Sequence, residues 1–336
     1  MALVIPEGYR NILGNLENTE KAIKAVKDMF QDNLSAQLAL LRVTAPMVVL
    51  SGTGLNDDLN GVESPVSFPV KDMDGRKAEV VHSLAKWKRM KLAQMGVPSG
   101  RGIYTDMNAL RPEEELDNIH SIYVDQWDWE KIITRENRNL DYLKLIVRAI
   151  VRAICNTNDR LHVRFPQLRI DLSSDVSFVT TQELEDLYPE LSADDRETAY
   201  VKEHRTACIM QIGGKLRSGK PHDRRAPDYD DWNLNCDIFF WDEVLGRALE
   251  ISSMGIRVDE EALDRQLRLA NCDHRRELPF HKALLAGELP LTIGGGIGQS
   301  RLCMLMIGSA HIGEVQSSIW DDMTVAECEK AGIRLL

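Results

Sequence analysis

Two runs far apart in the chain carry the residue types that phosphate chemistry needs. Gly294-Gly-Gly-Ile-Gly-Gln-Ser-Arg301 offers glycines that let backbone approach a ligand closely, with an arginine at a fixed offset. Arg111-Pro-Glu-Glu114 offers a second arginine and a carboxylate. Together, two guanidinium forks and a glycine-rich backbone can bind a nucleoside triphosphate and neutralise charge developing on its phosphates. The dinucleotide fingerprint G-x-G-x-x-G is not met, because Arg301 stands where the third glycine is required. Taken alone, the run reads equally well as a glycine-rich turn with an arginine on the surface.

Carboxylates recur near aromatic residues. In Ser121-Ile-Tyr-Val-Asp-Gln-Trp-Asp-Trp-Glu130 the two-residue period of a strand puts Val124, Gln126 and Asp128 on one face and Tyr123, Asp125, Trp127 and Trp129 on the other. Gln126 and Asp128 are then a ligand-facing floor or a solvated face. Asp237 and Glu250 fall on two strands joined by a short connector, which favours an antiparallel hairpin; the two carboxylates then sit opposite or diagonal, or both point into solvent and do not meet. Facing like charges destabilise a sheet unless a cation bridges them, and magnesium carried with ATP phosphates is the natural candidate. Arg225-Ala-Pro-Asp228-Tyr-Asp230-Asp231-Trp is a turn-rich loop whose carboxylates either stay in water or bind an α-amino group. His82 and Ser83 precede a helix in which Ser83 is a candidate N-cap and Lys88 faces a carboxylate substrate or water. Gly214-Lys-Leu-Arg-Ser-Gly219-Lys220-Pro221 nearly matches a P-loop, but Pro221 has no hydroxyl for magnesium.

These residues need elements to position them. Thr19 can cap a helix running through Ile23, Val26, Phe30 and Leu34, with Glu20 and Lys24 spaced to pair. Leu40 to Leu50 reads as one strand limited by Pro46 to an edge or end. Leu143, Ile146, Val147, Ile150, Val151 and Ile154 form an apolar helical stripe for the core. Further strands are expected at Glu79–Ser83, Gly102–Thr105, Ser121–Glu130, Cys236–Trp241 and Ala248–Ser252. Strands and helices do not alternate regularly, so the expected class is α+β with a mostly antiparallel sheet. There is no repeat, low-complexity tract or linker, and residues 1–336 read as a single domain.

Composition narrows the class. Hydrophobic content of 43% and charged content of 28% are ordinary for a globular protein. A net charge of −11 argues against a broad nucleic-acid footprint. No apolar run approaches the ~18 residues of a membrane span, and the first ten residues lack a secretory pattern, so a cytoplasmic protein without a membrane partner is expected. The six cysteines contain no Cys-x-x-Cys pair and read as reduced and mostly buried.

The runs His82-Ser-Leu-Ala-Lys-Trp-Lys-Arg89, Ala109-Leu-Arg-Pro112, Tyr123–Glu130, Arg225–Trp232, Ser252–Val258 and Ile293–Leu302 closely resemble the ammonia-dependent asparagine synthetases (aspartate–ammonia ligases), over nearly the whole chain. That family shares the catalytic fold of class II aminoacyl-tRNA synthetases, so the resemblance implies a class II synthetase-like domain. Pro46 resembles the motif 1 proline of a homodimer interface, Arg111-x-x-Glu114 resembles motif 2, and the 294–301 run resembles motif 3.

The implied reaction joins L-aspartate, ATP and ammonia into L-asparagine, AMP and pyrophosphate through a β-aspartyl-adenylate. By motif, Arg111 and Arg301 would clamp the phosphates, Glu114 would orient the adenine end, and Gly296 would lie against the nucleotide. Asp237 and Glu250 would hold Mg2+. Ser83, Gln126, Asp128, Asp230 and Ser253 would bind aspartate, with Lys88 near one of its carboxylates. Ammonium is not a nucleophile and must lose a proton. Asp57, in the Gly52–Gly61 run matching the family's loop after motif 1, is the candidate base. Competing readings are a tRNA-charging enzyme, a glutamine-dependent amidotransferase and a non-catalytic sensor. They are disfavoured in turn by the missing basic module, by Ala at position 2, and by the full phosphate clamp.

Overall fold

The computed structural model describes residues 3–56 and 63–336. In chain order its elements are α1 (Leu16–Leu38), β1 (Leu40–Arg42), β2 (Val48–Leu50), β3 (Ser67–Pro69), β4 (Lys77–Val80), α2 (Ala85–Met95), β5 (Gly102–Leu110), β6 (Tyr123–Ile132), α3 (Leu140–Arg164), β7 (Ser177–Thr180), α4 (Thr181–Leu187), α5 (Ala193–His204), β8 (Thr206–Met210), β9 (Asp230–Asp242), β10 (Arg247–Arg257), α6 (Glu260–Leu269), α7 (Pro279–Leu285), β11 (Thr292–Gly298), α8 (Gln299–Ile307) and α9 (Asp322–Lys330). Among the described residues, eight strands form one sheet in the order β1-β5-β6-β11-β10-β9-β8-β7. Its inner pairs are antiparallel, and only the outer pairs β1–β5 and β7–β8 are parallel. Strands β2, β4 and β3 make a small separate antiparallel sheet. The α+β expectation holds.

One face of the large sheet carries the main core. Trp127 and Trp129 point from β6 into it, and Phe30 of α1 meets Trp127 with ring centroids 4.7 Å apart. The α3 stripe from Leu143 to Ile154 is buried there as expected, and α8 completes the cover. Because strand side chains alternate, Gln126, Asp128 and Glu130 must project from the opposite face. That opposite face holds the chemistry.

Several local expectations change. The cap of α1 is Asn15, whose side chain accepts from the N–H of Asn18; Thr19 lies one turn inside and donates its hydroxyl back to the carbonyl of Asn15. Lys24 pairs with Asp28 rather than Glu20, and Lys21 pairs with Glu17. The 40–50 segment is two strands in different sheets, broken around Pro46, which has no N–H to give a ladder. Strands β5, β9 and β10 are longer than expected; β9 begins at the buried, ion-paired Asp230 and Asp231, and β10 runs on to the buried Arg257 that pairs with Asp230. The near P-loop is a turn closed by a Lys215–Pro221 bridge, with no helix following it directly. All six cysteines are free, and Cys208, Cys236, Cys303 and Cys328 are buried.

Candidate active site

A cleft with a cavity volume of about 390 Å³ opens on the sheet face opposite the main core, within the usual size for a small-molecule site. It brings together Arg111, Glu114, Gln126, Glu250, Ser253, Gly296 and Arg301. Arg111 follows the end of β5, fixed by its N–H on the carbonyl of Ile122 at 2.8 Å, and its guanidinium lies 3.6 Å from Glu114. Arg301 sits in the first turn of α8, directly after β11. Its guanidinium donates to the carbonyls of Ile119 at 3.3 Å and Glu250 at 3.1 Å, and lies 3.7 Å from the Glu250 carboxylate. The two arginines therefore line one cavity although 190 positions separate them (301 − 111).

Asp237 and Glu250 approach as the hairpin reading anticipated. Asp237 pairs with Ser253 and Glu250 with Phe239, so the carboxylates are diagonal, beside a register shift between Glu250 and Ser252. Asp237 is buried, and burial pushes its carboxyl up to about 8; Arg225 opposes this, while Glu250 and Glu197 add to it. Arg225 makes an ion pair with Asp237, yet Asp237 Oδ1 has no hydrogen-bond partner. Two adjacent carboxylates, one with an orphaned buried oxygen, fit a divalent cation, which prefers oxygen ligands.

Other site candidates stand behind the cleft wall. Lys88 is fully buried and faces neither water nor the cavity; it is paired with Asp128, donates to the carbonyl of Trp129 at 2.9 Å and lies 3.8 Å from Glu130. Burial lowers the proton affinity of Lys88, against the pull of Asp128 and Glu130. The second Asp128 oxygen accepts from the N–H of Leu84 at 3.1 Å. Leu84, not Ser83, occupies the N-cap position of α2 and cannot cap it with a side chain; Ser83 Oγ takes the N–H of Ala85 at 3.1 Å instead. Asp230 accepts from Arg257 at 2.6 Å, and Arg257 grips Glu130 through Nε at 3.0 and 3.1 Å and Nη2 at 2.8 Å. Asp128, Lys88, Glu130, Arg257 and Asp230 thus form a buried chain of alternating charge. Asp57 lies outside the described residues.

The glycine-rich run works differently from the first expectation. A Cβ on Gly294 would lie 2.1 Å from Glu130 Oε2 and 2.6 Å from Arg257 Nη2, and one on Gly296 would lie 2.2 Å from Gln126 Oε1. These glycines clear space for side chains of neighbouring strands. The carboxylate loop is also not solvated. Asp228 accepts from His281 at 2.8 Å and Arg275 at 3.0 Å and lies 3.1 Å from Lys86, while Asp231 pairs with Arg138 at 2.6 Å. Glu130, Arg225 and Arg257 were missed by sequence reasoning. Glu130 continues the two-residue period of Gln126 and Asp128, a signal that was there to use.

The family model for aspartate-ammonia ligases matches residues 17–332. This chain belongs to the aspartate–ammonia ligase family. Relatives named aspartate–ammonia ligase include one from Clostridium tetani, 57% identical over 99% of this chain and 98% of its own, and one from Lactobacillus johnsonii, 55% identical over the full length of both. Among solved structures, the fold is similar to asparaginyl-tRNA synthetase from Pyrococcus horikoshii complexed with asparaginyl-adenylate. The TM-score is 0.65 at 14% identity, covering 89% of this chain and 68% of the synthetase. The family member therefore has the class II aminoacyl-tRNA synthetase fold, and it is a ligase.

Proposed function

We propose that this ligase makes L-asparagine from L-aspartate, ammonia and ATP through a β-aspartyl-adenylate, releasing AMP and pyrophosphate. The carrying observation is that a chain matching the aspartate–ammonia ligase family over residues 17–332 lines one cleft with Arg111, Glu250 and Arg301. In the first step a β-carboxylate oxygen of aspartate bonds to the α-phosphorus, and the bond from that phosphorus to the bridging oxygen of pyrophosphate breaks. Arg111 and Arg301 offset the charge that builds on the phosphates, while Glu114 orients the adenine end and Gly296 lies along the nucleotide. Mg2+ held by Asp237 and Glu250 would neutralise phosphate charge. Gln126 and Ser253, which line the cleft, bind aspartate together with Ser83, Asp128 and Asp230, and Lys88 holds Asp128 in place. In the second step the ammonia nitrogen bonds to the activated carbonyl carbon and AMP leaves. Asp57 takes the proton that ammonium must lose.

A homodimer places the Pro46 segment at its interface, supported by the exposed apolar side chains of Leu41, Met47 and Val48 nearby. A cytoplasmic location and action of the whole chain as one domain complete the reading. No helix among the described residues is long and apolar enough to cross a membrane, and the net charge of −11 disfavours a nucleic-acid partner. The test supplies L-aspartate and Mg-ATP with ammonium, glutamine or tRNA in parallel. Asparagine and AMP formed in equal amounts, with ammonium alone, support the reading. AMP without asparagine, or aspartate transferred to tRNA, would overturn the acceptor.

A further inference from the structure

Helix α8 opens on Gly298, which has no side chain to cap it. The first N–H groups of a helix need acceptors from somewhere. Here the N–H of Ser300 donates to Asp125 Oδ1 at 3.0 Å, and Asp125 belongs to β6, far away in sequence. Asp125 is 5% exposed. Its other oxygen, Oδ2, accepts from Lys27 Nζ of α1 at 3.0 Å. Gln316 closes the group, donating to Asp125 Oδ1 at 3.4 Å and to Ser300 Oγ at 3.0 Å. The residue after Ser300 is Arg301. Three other parts of the chain therefore converge on the turn that carries this arginine into the cleft.

We infer that Asp125, held by Lys27, is the positioning residue for Arg301: a helix cap supplied from β6 that fixes where α8 begins and how the guanidinium reaches the phosphates. The inference rests on the assignment of Arg301 to ATP. A carboxylate at a helix start satisfies orphan N–H groups and complements the helix dipole. Without it the first turn frays, and Arg301 must be reordered each time ATP binds. The role acts through Arg301: although Asp125 borders the cleft with Ser300 and Gln316, its two oxygens are taken up by the N–H of Ser300 and by Lys27 Nζ.

The test is a double-mutant cycle on the full chain, reading the Kd for Mg-ATP by calorimetry in wild type, D125A, R301A and D125A/R301A. D125A is expected to weaken Mg-ATP binding about threefold to thirtyfold, the cost of losing an N-cap, and to leave the KM for aspartate within about twofold in aspartate-dependent ATP–pyrophosphate exchange. D125N, which keeps an oxygen for the Ser300 N–H, is expected to recover most of the loss. In the R301A background D125A is expected to add nothing. The same factor lost on both backgrounds would overturn the proposal, as would failure of D125N to rescue. If D125A does not fold, K27M replaces it in the cycle, with the same non-additivity expected and full additivity overturning the proposal. Wild-type protein that bound Mg-ATP but showed no aspartate-dependent exchange would count against the proposed function alone, since the binding cycle reads the positioning role separately.

Discussion

Gly294→Ala tests whether the glycine run exists to house the buried charges. The new methyl carbon would stand 2.1 Å from Glu130 Oε2 and 2.6 Å from Arg257 Nη2, so something must retreat by about an ångström. Neither partner has room to do so cheaply. Glu130 and Arg257 are 0% and 4% exposed, and three contacts of 2.8 to 3.1 Å hold them together. Overpacking costs about 1–3 kcal/mol, and a strained charged hydrogen bond adds about 1.5–3 kcal/mol when lost outright. Alanine regains roughly 0.5–1 kcal/mol of chain entropy over glycine. The net expectation is about 1.5–5.5 kcal/mol of destabilisation. Urea unfolding at fixed protein concentration measures it as a fall in midpoint with unchanged slope. Gly214→Ala is the control, because a Cβ there meets nothing within 4 Å and the cost should stay within about 0.5 kcal/mol. A Gly294→Ala protein as stable as that control would refute the reasoning.

Gly296→Ala should behave differently, because the atom it meets at 2.2 Å is the far end of a flexible glutamine. Gln126 can swing away, so stability should drop by less than about 1 kcal/mol while the KM for aspartate rises roughly tenfold, the value of one polar contact. Glu250→Gln should lower Mg-ATP-dependent pyrophosphate exchange by about 10²–10³ with little change in unfolding midpoint, since Glu250 is only half-buried; a fully active variant would remove it from the site. Asp117 gives a pH prediction. Burial opposes its charge, but hydrogen bonds from the His120 side chain and from the N–H groups of Ile119 and His120 hold its carboxyl down at about 2, against an ordinary 3.8. A depressed carboxylate stabilises the fold above its ordinary range and loses that contribution as pH falls through the folded value. The difference of 3.8 − 2, or 1.8 units, corresponds to about 2 kcal/mol. The stability gap between wild type and Asp117→Asn should be constant above about pH 5 and close between about pH 4 and 2; a gap unchanged at pH 2 would contradict the linkage.

The residues that chemistry demands were visible in the chain, and their supports were not. Arg111 and Arg301 stand in recognisable runs, and the two-residue period alone separated Gln126 and Asp128 from the tryptophans. The short connector indicated the Asp237–Glu250 hairpin, but the diagonal placement depends on the register shift between Glu250 and Ser252, which only the folded sheet shows. Arg225, Arg257 and Glu130 escaped because long charged side chains are normally solvated, and only the folded sheet shows that each has an opposite charge beside it. Capping was misread for a similar reason. Local rules look for a cap in the preceding residue, whereas α2 and α8 receive theirs from Asp128 and Asp125 on β6, across the fold. A glycine reports only that space is needed, not what fills it, so the room that Gly294 and Gly296 leave for Glu130, Arg257 and Gln126 could not be read from the run itself.

The direct passage from β11 into α8, with Gly298 ending one and Gln299 starting the other, sets a limit on how this fold can vary. No slack residue exists there to absorb a change in length. One added amino acid would rotate everything after it by about a hundred degrees around the helix axis, turning Arg301 away from the cavity. The 214–219 turn carries no such gearing. Insertions, fusions and circular permutation therefore belong at that turn, while the sheet-to-helix junction is tolerant of altered side chains at most, never of altered length.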